Sequence, residues 1–415
     1  MNIVDFGTFH DFYPARAHVG WVTQLPVLIA LKLGVVDIRV LATVQSTALF
    51  ALPVGLYHLA LARARHDAVL LAIVLVAIAL VYLPTSFFII GEYNALFAAA
   101  TATMAIVLTS ERHRVLDGLL LSALAVLSVR SYEAMVYFGP LLAAAALWWR
   151  HRTPAGERAA RWLGVVAVLG FVGGAVVSGA TIVEYWGHPH FALVRVAIFD
   201  FWQNLQFVVP LAGLGIFVVL SLVWPPWLRS VVPTLLIAVV AVVLVSTLWF
   251  RQWFDPEAMV FPPAHYVARQ AAGYLLWALL VAMWLHAVWQ RRVPRVLAVL
   301  REAAVSRRLV TAMAGLIVAS AIPDVVLTRL WSDYLVYFHG LTAGRTANVL
   351  SRDLPNRAWP YRLFSQEWTA PALSSLLRTA PTDGIVLGPQ GPTDDMPFDS
   401  RCGTLPRLTG YRWRG

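Results

Sequence analysis

Long apolar runs, separated by short connections in which arginine clusters at every second one, constrain this chain more than any other feature. Runs of usable length lie at 38–62, 68–90, 93–110, 115–130, 133–149, 162–186, 205–224, 230–250, 270–289 and 309–330. A helix needs about 20 apolar residues to cross a hydrocarbon core of about 30 Å. The connections 63–67, 111–114, 150–161, 225–229 and 290–308 carry 15 arginines, and the alternate connections 84–94, 130–133, 187–204 and 251–269 carry 4. With ten spans, every arginine-rich connection falls on one side, which the positive-inside rule makes cytoplasmic. Both termini then lie outside. Merging two neighbouring spans would put the later clusters on the wrong side. The stretch 115–149 is the tightest case: as one helix it would run to about 52 Å, beyond ordinary tilt. Two short spans are expected there.

Composition narrows the function classes. The chain is 59% apolar and 13% charged, against about 25% charged in a soluble domain. A cytosolic enzyme, a disordered regulator and a secreted disulfide scaffold are excluded. A net charge of +10 would point to nucleic acid in a soluble protein. Here the basic residues sit between apolar runs and report topology, so no nucleic-acid partner is expected. Cys402 is the single cysteine, which excludes an intramolecular disulfide and a cysteine-based zinc site. Of the 32 basic residues 31 are arginine. Lys32 stands in no phosphate-binding P-loop, and Schiff-base chemistry has no other lysine to use.

The ends depart from this pattern. Residues 1–37 open in polar aromatic sequence without a signal peptide. They continue into an amphipathic segment, 23–34, that reads as an interfacial helix. Thr23 or Gln24 would cap it, Pro26 would fill its first turn, Gly34 would stop it, and Asp37 would cap the first span. An upstream span ending just before Met1 is expected. Residues 331–415 read as a small external region. A helix at 334–350 continues the last span, followed by a helical piece at 372–378, a turn at 381–384 and a β-like run at 385–387. The expected fold is therefore an all-α polytopic membrane protein. It has about ten transmembrane helices over 38–330 and a small external C-terminal α/β region.

Charges at the edges of apolar spans are functional candidates. Glu92 follows Gly91 at the outer end of the second span. Arg130 and Glu133 flank the turn between the fourth and fifth spans, at a spacing that suits an ion pair as well as a ligand site. Asp5, His10 and Asp11 could bind a divalent metal or activate a hydroxyl, or be solvated surface. His188, His190 and His265 are weaker metal candidates, since lone histidines usually hydrogen-bond. Arg251, Asp255, Glu257 and Arg269 share a loop with Phe254, Phe261 and Tyr266, which suits a sugar or phosphate head group and equally an interfacial belt. HExxH, GxSxG and GxGxxG do not occur. No row of acidic residues or histidines runs through the spans as an ion-driven pump needs. The expected catalytic residues are Asp5, Asp11 and Glu92, and the expected substrate-binding residues are Arg130, Glu133, Arg251 and Arg269.

Many spans, an acidic first external loop with an interfacial helix, and a small external C-terminal region resemble the GT-C class of glycosyltransferases. That resemblance implies a polyprenyl-phosphate-linked sugar donor and catalytic carboxylates in the first external loop, here Asp5 and Asp11. The Asp-Glu or Asp-x-Asp pair of the class does not occur there. The segments 364–374 and 397–399 resemble a family of uncharacterised bacterial polytopic membrane proteins, which implies a bacterial plasma (inner) membrane. Two readings follow. One is an enzyme acting on a lipid-linked sugar at the external face. The other is a non-catalytic assembly factor or a transporter, in which the charged edges are structural.

Overall fold

The computed structural model describes residues 3, 7–9, 16–86, 91–110, 114–187, 205–254, 262–289, 294–344, 348–350, 370–378, 383–387 and 411–412. The chain forms two compact units, Leu52–Asp324 and Met1–Ala51 with Val325–Gly415. The end regions expected at 1–37 and 331–415 thus fall in one unit.

Ten helical segments occupy the ten apolar runs. These are α2 (Ile38–Ala64), α3 (Ala68–Ala77, continued by a π-helical turn Ile78–Tyr82 into α4, Leu83–Ser86), α5 (Glu92–Thr109), α6 (Arg114–Val129) and α7 (Met135–Arg152). Then follow α8 (Arg158–Glu184), α9 (Leu205–Val223), α10 (Val232–Phe254), α11 (Pro262–Trp289) and α13 (Ala303–Thr342). The first helix, α1, is Ala17–Lys32, and the short α12 is Pro294–Arg301. Among the described residues five stretches are long and apolar enough to cross a membrane: Ile38–Ala64, Ala68–Thr85, Arg158–Glu184, Arg269–Val288 and Ala303–Ile322. Leu169, Val176, Val219, Val242 and Val318 are each more than half exposed. In water such a surface would aggregate; in hydrocarbon it is the expected exterior.

Helix α5 is the centre of the Leu52–Asp324 unit. Every side chain from Tyr93 to Val107 is buried, as befits a helix that is apolar on all sides. Its alanines at 95, 98, 99, 100, 102 and 105 keep it narrow enough for neighbours to surround it. The expected split of 115–149 is present, and both α6 and α7 pack on α8. The buried positions of α8 are Ala160, Gly164, Ala167, Phe171, Gly174, Ser178 and Thr181, alternating steps of four and three that make one continuous seam. A Cβ on Gly174 would stand 2.9 Å from the Ser128 carbonyl oxygen, and one on Gly170 2.8 Å from the Ala125 Cβ. Gly170 and Gly174 form the small-residue spacing that lets helix backbones touch where lipid supplies no hydrophobic drive.

In α3 the N–H of Leu83 donates to Ile78 O, the wider turn that defines the π segment. Pro84 follows it and has no N–H to continue the α pattern. Thr85 closes this end, with its hydroxyl donating to Val81 O at 2.6 Å.

In the second unit, α1 begins at Ala17, six residues before the expected start, and Pro26 lies inside it. Thr23 does not cap: its hydroxyl donates back to Val19 O at 3.0 Å, the mid-helix habit of threonine. Gly34 stops the helix as expected, at φ +82, and Val35 N–H donates to Ala30 O. Asp37 caps α2, accepting from the N–H of Arg39 at 3.0 Å and Val40 at 3.2 Å. The expected helix to residue 350 ends instead at Thr342. Gly344 takes φ +67, and Val349–Leu350 (β1) pairs in parallel with Val386–Leu387 (β2). The intervening α14, Ala370–Leu377, is tied to β2 by Val386 N–H donating to Ser374 Oγ at 3.0 Å.

Candidate functional site

The two ends of the Leu52–Asp324 unit are built from different chemistry. At one end lie the described residues of the arginine-rich connections and the helix ends beside them. Arg63, in the last turn of α2, lies 2.5 Å from Asp117 of α6. The Asp117 side chain is 1% exposed, and it also accepts from Ser110 Oγ at 2.5 Å. Arg114 Nε is 3.8 Å from Glu157 and its Nη1 donates to Arg152 O at 2.8 Å. Asp67 caps α3 through the N–H groups of Val69 and Leu70, and its other oxygen lies 2.8 Å from His286 Nε2 of α11. Burial alone would raise the Asp67 carboxyl. The hydrogen bond and attraction of His286, with the two N–H groups, outweigh it and hold the carboxyl below its usual range. Arg229 grips both oxygens of Glu302, and that hydrogen bond holds the exposed Glu302 carboxyl low. The sharing of one end by these connections is therefore a geometric fact, independent of hydropathy.

At the other end aromatic rings dominate. Glu92 opens α5 and is half-buried. Next to it, Tyr93 donates to Thr85 O at 2.5 Å, and Asn94 spans from Thr85 Oγ1 at 3.2 Å to the Gly91 N–H at 3.1 Å. These bonds lock the helix start. The Tyr93 ring meets Tyr132 at 5.7 Å between centroids and Phe97 at 5.8 Å, and Phe97 continues to Phe138 at 5.7 Å. Arg269 of α11 lays its guanidinium over the Tyr93 ring, 4.6 Å from the centroid, and is only 9% exposed. The α6–α7 turn is pinned from α8 by Ser178 Oγ, which donates to Tyr132 O at 3.1 Å.

Of the expected site residues, Arg269 reaches this aromatic pair from another helix. Glu92 is next to Tyr93 in sequence, and half-buried Arg130 and Glu133 bracket Tyr132. Arg251 lies in the last turn of α10, with its side chain outside the described set. Asp5, His10, Asp11, His188, His190, Asp255, Glu257 and Phe261 lie outside the described residues, as do the side chains of Phe254, His265 and Tyr266. Among the described residues no three His, Cys, Asp or Glu side chains stand together as a metal would require. A guanidinium on an aromatic face, mostly withdrawn from water, is suited to the oxygens of a phosphate. A neighbouring carboxylate can accept a proton.

Sequence reasoning missed Asp67, Asp117, His286 and Tyr93. Asp117 carried a usable signal, a lone carboxylate one turn inside an apolar run. Asp67 immediately before an apolar run is an N-cap signal. Nothing in the pattern linked either to its distant partner. Comparison with known protein families, curated proteins and solved structures finds no match.

Proposed function

We propose that the chain is a ten-span protein of a bacterial plasma membrane, arginine-rich end in the cytoplasm and both termini outside. At its external end it binds the phosphate of a polyprenyl-linked sugar. Membrane residence is supported by the five long apolar helices and their aliphatic exterior. The binding assignment is carried by one observation, the buried Arg269 guanidinium seated on Tyr93 next to Glu92. Arg269 grips phosphate oxygens, strengthened by low local dielectric. Arg130 and Glu133 orient the head group, Arg251 contributes further positive charge, and Glu92 supplies the base of a GT-C-like transfer, the role that the resemblance gives to Asp5 and Asp11. A divalent metal is compatible with the carboxylates of the first loop.

Binding of polyprenyl phosphate to nanodisc-embedded protein tests this directly. Arg269→Gln weakens it at least roughly tenfold, about 1.4 kcal/mol, with the fold retained. Glu92→Gln keeps binding but loses sugar transfer to acceptor. Unchanged affinity in Arg269→Gln sinks the assignment. A variant whose loss is confined to thermal stability supports the non-catalytic alternative, in which these charges clamp helices. Topology is tested on a Cys402→Ser background with an impermeant thiol reagent. Asp255→Cys labels in intact cells, whereas Arg112→Cys and Ala155→Cys label only after lysis.

A further inference from the structure

The arginine-rich end of the Leu52–Asp324 unit holds an apolar chamber of about 300 Å³ between α3, α9, α10, α11, α12 and α13. It runs along α3 from Ala68 to Leu80 and along α9 from Leu222 back to Pro210. At ~1.5 Å per residue both walls are about 18 Å deep, close to one leaflet of a core about 30 Å thick. Among the described residues the polar lining is Ser221, His286 and Ser306. Ser221 Oγ and His286 Nδ1 are buried and have no hydrogen-bond partner among the described residues. The chamber opens sideways: Val218, Leu222 and Leu285 line it and remain 41%, 47% and 39% exposed. That opening faces the aliphatic exterior, where the surrounding solvent is hydrocarbon.

The floor gives the occupant its charge. Val296 and Leu300 of α12 turn into the chamber, whereas Arg295 and Arg301 on the same short helix are exposed, as is Arg307 of α13. An amphipathic helix with exposed arginines beneath an apolar slot of leaflet depth matches a lipid with a hydrocarbon tail and a negative head. We propose that this chamber holds one acyl chain of an anionic membrane lipid from the leaflet at the arginine-rich end, its phosphate met by Arg295, Arg301 and Arg307. The assignment rests on membrane residence and not on the Arg269 site. It gives the unit a lipid-binding site at the end opposite to the proposed donor site. A largely apolar slot with a few polar groups is the usual make-up of a small-molecule site, and filling it restores dispersion contacts that an empty slot forgoes.

Native mass spectrometry of the full-length protein, delipidated in detergent and then offered phosphatidylglycerol or phosphatidylcholine, tests the proposal. The wild type retains one phosphatidylglycerol, with a preference of roughly tenfold over phosphatidylcholine. Ala72→Phe and Ala282→Phe, which fill the chamber from two helices, abolish retention. Arg295→Gln with Arg301→Gln keeps a chain bound but loses the preference. Arg269→Gln leaves retention unchanged, which separates this site from the donor site. The proposal is overturned if the wild type retains no lipid or shows no preference. Phosphatidylglycerol retained in full by both chamber-filling variants, or lost in Arg269→Gln, overturns it as well.

Discussion

The two ends of the Leu52–Asp324 unit use charged residues in different ways. At the arginine-rich end Arg63, Asp67, Arg114 and Arg229 each reach a side chain on another connection or helix end, so that each connection or its flanking helix is tied to another. Charge there sets which helix ends lie side by side. At the opposite end the packing is aromatic, and Arg269 is presented on the Tyr93 face beside Glu92. The comparison teaches that arginine in this chain does two jobs, stapling helix ends to carboxylates at one end and covering an aromatic face at the other.

The sharpest test of that division is Asp117→Asn. It leaves Arg63 without its buried carboxylate, and breaking a buried pair from one side costs about 3–5 kcal/mol. Thermal unfolding in detergent reads this as a large fall in Tm. Arg63→Met with Asp117→Leu recovers most of it, because no unpaired charge remains. A change in Asp117→Asn below about 1 kcal/mol, the range of exposed pairs, would break the comparison.

Gly174→Leu comes next. It forces a side chain against the Ser128 backbone, where even a Cβ stands at 2.9 Å, and overpacking costs about 1–3 kcal/mol. Because α8 also carries Ser178, one turn away, which holds the Tyr132 turn, the same variant should weaken the proposed phosphate binding at the Arg269 end. Unchanged binding alongside a lowered Tm would show that the glycine seam does not position that end.

Asp67 gives a pH signature. Its folded-state carboxyl is held below its unfolded value of 3.8. The stability it contributes is therefore fully present above that pH and is lost as pH falls through the lower folded value. The Tm gap between wild type and Asp67→Asn narrows as pH falls below about 4. A gap that widens below about pH 4 would reverse the sign and remove Asp67 from the stapling role. The smallest effect belongs to Arg229→Gln. Its partner Glu302 is well exposed, so the Tm shift is small and vanishes in about 0.5 M salt. A loss comparable to that of Asp117→Asn would show that exposure does not separate the stapling pairs.

Much of this is legible in the sequence. The apolar runs gave ten helices because about 20 apolar residues in sequence have few other ways to satisfy their backbone in lipid. Gly34 and Asp37 announced a stop and a cap through local chemistry alone. The split at 130–134 followed from length. Thr23 went the other way: its hydroxyl serves a cap or a mid-helix bond equally well, and the residues before it decided. The helix expected to 350 failed because Val349 and Leu350 found a strand partner 37 residues further on.

The sequence by itself determined that the chain is helical, that its exterior is apolar, and where arginine concentrates. Those properties are sums over local composition and period. Only the tertiary structure decided which charges meet: Asp67 finds His286 and Asp117 finds Arg63, and Arg269 comes to rest on Tyr93. An ion pair or a cation on a ring depends on a few ångströms between residues far apart in the chain. Helix packing sets that distance, through seams such as the glycine face of α8, and it leaves no mark in the local sequence around either partner.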